Sequence, residues 1–86
     1  MARITEGDVT NVIGKNVRKL RKSKKMSQQM LSNKLELLGV YVCRGSVSRI
    51  EDGSRTVTDI ELLAMSRIFG VSINDLFVGT DDFFDC

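Results

Sequence analysis

SQQMLSNKLELLGVYVCRGSVSRIEDG, residues 27–53, is the stretch on which the reading of this chain turns. Ser27 opens it, and a serine hydroxyl accepts a backbone N–H two or three residues on, so a helix is expected from Gln28 to Leu38. Leu31, Leu35 and Leu38 give that helix one apolar stripe, and Gly39, which tolerates positive φ, closes it. The run VYVC at 40–43 has strand-like composition, but so brief a run reads as a connector that tucks Val40 or Val42 into the core. A very short helix follows over 44–52, stopped by Gly53. Its exposed side carries Arg44, Ser46, Ser48 and Arg49, and Val47 and Ile50 form its apolar underside.

Flanking segments read as further helices. Thr10 is placed to cap a first helix to about Lys24, with Ile13, Val17 and Leu20 at helical spacing and Lys15, Arg18, Lys19 and Lys22 on the other face. Thr58-Asp59-Ile60-Glu61 fits a capping box and opens a fourth helix to Phe69, where Leu62, Met65, Ser66 and Phe69 share a face. Ser66 is small enough to permit close helix approach, and Gly70 ends the run. Ser72-Ile73-Asn74-Asp75 repeats the capping signal for a fifth, short helix with Leu76 and Phe77. The expected class is all-α, with a loose arm at 1–9, one domain at 10–78 and an acidic, aromatic tail at 79–86.

Eighty-six residues suffice for one modest core and leave no room for a second domain. The net charge of +2 conceals a division: residues 1–50 hold eleven Lys/Arg against three acids, a balance of +8, whereas residues 51–86 hold two against eight, a balance of −6. A basic half suggests an anionic partner, and the acidic half confines that attraction to one face. The chain has no histidine, no nucleophile beside a base, no phosphate loop and no metal-ligand cluster, so an enzyme, a metal centre and a cofactor are not expected. No small-molecule ligand is implied. No stretch approaches the length of a bilayer span, and residues 1–12 lack the apolar core of a signal peptide. These features point to a reducing cytoplasm in which Cys43 and Cys86 stay free thiols.

Two helices and a turn are common, but three segments in this order are more specific: Ser-Gln-Gln-Met-Leu-Ser, then Gly-Ser-Val-Ser-Arg-Ile-Glu-Asp-Gly, then Leu-Leu-Ala-Met-Ser-Arg-Ile-Phe-Gly-Val-Ser-Ile-Asn-Asp-Leu-Phe. Over residues 12–78 the chain resembles the Cro/C1-type (XRE-family) helix-turn-helix proteins of phages and bacteria. The resemblance implies a compact five-helix, lambda-repressor-like DNA-binding domain in which helices two and three form the motif and the third lies in the major groove. By position, Arg44, Gly45 and Arg49 then read bases, with Ser46 and Ser48 beside them. Gln28, Ser27, Asn16, Lys15, Ser54, Arg55 and Thr56 become phosphate contacts, and Arg21 and Glu51 a partly buried ion pair between helices one and three.

The chain departs from the family between Leu35 and Val47, where Glu36 to Val40 look like an insertion of about five residues. Cys43 stands where the family often has a capping Ser or Thr, and is either a structural thiol or a redox sensor. The implied partner is double-stranded operator DNA, bound by a homodimer in the nucleoid, with Leu76, Phe77, Phe83 and Phe84 as dimer contacts or as part of the monomer core. The competing function is a protein-interaction module or antitoxin that docks a partner through Asp81, Asp82, Asp85, Phe83 and Phe84.

Overall fold

The computed structural model describes residues 9–81 and 83. Four α-helices follow one another, α1 (Gly14–Ser23), α2 (Gln28–Leu37), α3 (Arg44–Asp52) and α4 (Asp59–Phe69), and a single 3₁₀ turn (Asn74–Phe77) follows them. No strand occurs among the described residues.

One core joins all five elements: Val17 from α1, Leu31 and Leu35 from α2, Val47 and Ile50 from α3, Ala64, Met65 and Phe69 from α4, and Leu76 from the 3₁₀ turn. Ile13 and Val42 complete it from the connecting segments. Val47 and Ile50 are each 1% exposed, and burying two such side chains supplies about 3–6 kcal/mol of transfer free energy, which fixes which side of α3 faces inward.

Most helix boundaries follow the local chemistry. Ser27 Oγ accepts the Met30 amide at 3.0 Å, and Thr58 and Glu61 exchange reciprocal bonds of 3.2 and 3.0 Å. Gly39, Gly53 and Gly70 each close a helix with φ between 70° and 85°. At Gly39 the amide of Val40 reaches back to the Leu35 carbonyl at 3.0 Å, the closing bond of a Schellman turn. The chain has therefore left the helix at Leu38, which is 53% exposed rather than part of the α2 stripe. The buried residues of α2 are Leu31, Ser32 and Leu35.

Two expectations need correction. The first helix starts at Gly14, not near Thr10. Its N-cap position is Ile13, which offers no side-chain cap; just before it Asn11 Oδ1 accepts from the amides of Ile13 and Gly14 at 3.1 and 2.9 Å, while the Thr10 hydroxyl donates to the Gly53 carbonyl. The fifth helix is only a 3₁₀ turn, so four α-helices stand where five were expected. Its capping pair is present, with Ser72 and Asp75 exchanging bonds of 3.1 and 3.2 Å. The helix does not propagate because Asn16 of α1 donates to the carbonyls of Leu76 and Val78, both at 2.8 Å, and Gly79 then turns the chain at φ +82°. Of the expected N-terminal arm, residues 1–8 lie outside the described residues and Val9 is already half-buried.

Gly14 sets how closely α1 approaches α3. A Cβ there would run into the Ile50 carbonyl oxygen and stand 2.7 Å from that of Glu51, and both are backbone atoms that cannot swing aside. Gly45, by contrast, faces open space, its nearest foreign atom being Arg49 Nη1 at 3.8 Å. Gly14→Ala is expected to cost about 1–3 kcal/mol by overpacking, and Gly45→Ala to be neutral or stabilising by up to about 1 kcal/mol through helix propensity. Urea unfolding of the two variants checks this ordering, and equal stabilities would refute it.

Candidate nucleic-acid interface

A helix seated by Val47 and Ile50 must turn its opposite face outward. On α3 that face consists of Arg44, Gly45, Ser48, Arg49 and Asp52, all exposed. Four of the five residues expected to read bases thus project from one side of one helix. The fifth, Ser46, is half-buried at the edge, where its hydroxyl oxygen accepts from Arg49 Nη2 at 3.2 Å and lies 3.5 Å from Cys43 Sγ. Ser46 therefore steers the Arg49 guanidinium. Cys43 is the N-cap residue and makes no side-chain capping bond, in keeping with a thiol's weak hydrogen bonding, and the Ser46 hydrogen bond holds its thiol below the usual pKa.

Asp52 was not anticipated. It closes the basic face at its C-terminal end, and its carboxylate accepts from the Ser54 amide at 2.9 Å and the Ser54 hydroxyl at 2.6 Å, bonds that hold it below the ordinary aspartate range. Its position at i+3 from Arg49 was legible in the sequence.

The orientation of α3 is fixed from behind. Arg21 and Glu51 are each 7% exposed, and the guanidinium meets the carboxylate in two bonds, Nε to Oε2 at 2.6 Å and Nη2 to Oε1 at 3.0 Å. Arg21 Nη1 donates to the Met26 carbonyl at 2.8 Å, and Gln28 Nε2 donates to Glu51 Oε1 at 3.1 Å. One carboxylate thereby ties α1, the α1–α2 turn and the start of α2 to α3. The expected ion pair is present, and Gln28 belongs to it.

The residues expected at phosphates divide in two. Lys15, Ser27 and Thr56 are exposed. Asn16, Gln28, Ser54 and Arg55 spend side-chain donors inside the molecule. The Asn16 amide donates to Leu76 in the 3₁₀ turn and to Val78 just after it, and Arg55 forms a bidentate pair with Glu61 at 2.9 and 3.0 Å. That pair, foremost through its hydrogen bonds, holds the Glu61 carboxyl below its usual range and raises Arg55. Sequence reading missed it because the two residues are six apart across a loop, a spacing without a helical or strand signature. Asn11 was missed as well, although its amide donates to the carbonyls of Ile50 and Arg55 at 3.1 and 2.7 Å and so holds the end of α3.

Of the expected dimer contacts, Leu76 is 0% exposed and belongs to the monomer core, Phe77 is 37% exposed, Phe83 is half-buried, and Phe84 lies outside the described residues. Exposed apolar side chains not anticipated for that role are Ile60 and Leu63 on the outer side of α4, and Val78. Among the described residues there is no cluster of three or more potential metal ligands, and no helix is long and apolar enough to cross a membrane.

The helix-turn-helix family model matches residues 17–76. The chain belongs to the Cro/C1-type helix-turn-helix family. Its architecture is similar to that of the restriction-modification controller protein C.AhdI from Aeromonas hydrophila, at 29% identity and TM-score 0.63 over 76% of this chain and 91% of that one. It is likewise similar to the P22 c2 repressor, solved in complex with a synthetic operator, at 26% identity and TM-score 0.62 over 81% and 98% of the two chains. The DNA-binding domain of BldD shares the fold at 22% identity and TM-score 0.62, over 78% and 90%. No curated protein matches the chain.

Removing one partner of a buried pair strands the other's charge, whereas removing both does not. Glu51→Ala is expected to destabilise by about 3–5 kcal/mol, and adding Arg21→Ala to return part of that loss. A double-mutant cycle on unfolding free energies checks the coupling, and simple additivity would refute it.

Proposed function

We propose that this protein is a sequence-specific double-stranded DNA-binding transcription regulator that represses from a palindromic operator as a homodimer. The observation that carries the proposal is the outward face of α3, where Arg44 and Arg49 flank Gly45 and Ser48 on a helix whose reverse side is locked into the core. A major groove about 12 Å wide admits one α-helix, and an arginine placed there donates a bidentate pair to guanine O6 and N7. Gly45 and Ser48 keep the helix slim enough to sit close to the base edges. Lys15, Ser27 and Thr56 supply sequence-independent contacts to phosphate. The likeness to an operator-bound repressor and to a restriction-modification controller supports the same reading. The protein works in the cytoplasm, on the nucleoid.

For the dimer, the outer side of α4 with Ile60 and Leu63, together with Phe77 and Val78, supplies apolar surface that the monomer leaves exposed. A two-fold dimer places two copies of α3 roughly 34 Å apart, one helical turn of DNA.

Selection from a random duplex pool followed by gel shift at several salt concentrations tests the proposal. The expected result is binding whose log affinity falls linearly with log salt, and an Arg49→Ala variant that loses about ten- to a hundredfold on the selected duplex while nearly retaining non-specific affinity. Absence of salt-dependent binding to any duplex, or an equal loss on every duplex, would refute it.

A further inference from the structure

The end of α2 and the connector that follows it, residues 38–43, expose three apolar side chains. Leu37 is 85% exposed, Leu38 53% and Tyr41 78%. Yet the connector is firmly anchored. Val42 is 4% exposed and its carbonyl accepts from the buried Ser32 hydroxyl at 2.6 Å, while Val40 packs against the core and is bonded back to Leu35. Neighbouring side chains of an extended segment point to opposite sides, so two inward valines drive Tyr41 outward. It shares a groove of about 390 Å³ with Cys43 and Ser46 at the start of α3.

We propose that Tyr41 is a further DNA-contacting residue, lying against the sugar-phosphate strand that walls the groove entered by α3, with its phenol donating to a phosphate and its ring covering deoxyribose. The inference rests on the DNA-binding reading above and adds an element to it. An α-helix with its side chains is about 10–12 Å across and the major groove about 12 Å wide, so a turn leading directly into the inserted end of α3 meets a groove wall. Tyrosine suits that wall, because one end of the side chain is apolar and the other a hydrogen-bond donor. Glu36 forms part of the groove lining and repels a phosphate from its floor, which leaves the contact at the rim. A backbone contact carries no sequence information, so Tyr41 supplies affinity and alignment of α3 rather than base choice.

The test uses the full chain, a labelled duplex recovered by selection and a scrambled duplex. Tyr41→Phe is expected to weaken binding to both by about fivefold and Tyr41→Ala by about tenfold or more, with thermal unfolding unchanged because the side chain is exposed. Ethylation of one flanking phosphate weakens wild-type binding by a similar factor but no longer affects Tyr41→Phe. Wild-type affinity in both variants, or unchanged affinity with a lowered sedimentation coefficient for Tyr41→Ala, overturns this inference alone, the latter result assigning the residue to contact between copies. Failure of the wild type to bind any duplex overturns the DNA reading and the inference together.

Discussion

The structure depends on how α3 is held from behind. Glu51 sits one turn from Val47 on the same helix, and its carboxylate accepts from Arg21 of α1 and Gln28 of α2 at once. Hydrophobic burial is non-directional and sets only which side of α3 faces inward. Directed bonds to one carboxylate fix how far the helix is rotated and along which line it points. The Gly14 contact supplies the third coordinate, because α1 can close on the carbonyls at the end of α3 only where no Cβ intervenes. Desolvation offsets much of the ion pair's attraction, so its yield is orientation more than stability.

That fixed pose converts a charge imbalance in the sequence into a face. The basic half of the chain contributes α1, α2 and most of α3, whereas Asp59 and Glu61 occupy the first turn of α4, where the helix dipole favours negative charge. Asp52 marks where the positive surface ends on α3 itself. Arg55, which looked like part of the basic surface, is neutralised by Glu61 and serves to close the α3–α4 loop against the capping box.

What could be read from the sequence was local. Ser27, Thr58, Gly39, Gly53 and Gly70 act through bonds and backbone angles within a few residues, and the boundaries they imply agree closely with the structure. The periodicity of Val47 and Ile50 likewise gave the outward face of α3. Contacts between distant segments left no such pattern. Asn11 and Asn16 are both short amides near the start of α1, but one bonds to the carbonyls of Ile50 in α3 and Arg55 in the loop after it, and the other to those of Leu76 in the 3₁₀ turn and Val78 just beyond it, some forty to sixty positions away. The Asn16 pairing shifted two expectations, since it truncated the fifth helix and withdrew a donor from the proposed DNA surface. Leu76 was similarly ambiguous, since an apolar residue at the end of a chain fits a core or an interface equally well until the fold is known.

The central claim is that the outward side of α3 meets nucleic acid. Its most direct measurement is a residue-resolved NMR titration of the labelled full chain with a selected duplex. The account predicts that the amides of Arg44, Gly45, Ser48 and Arg49 undergo the largest shifts, together with the Arg49 side-chain resonance. Large shifts gathered elsewhere, with those four residues unmoved, would contradict it.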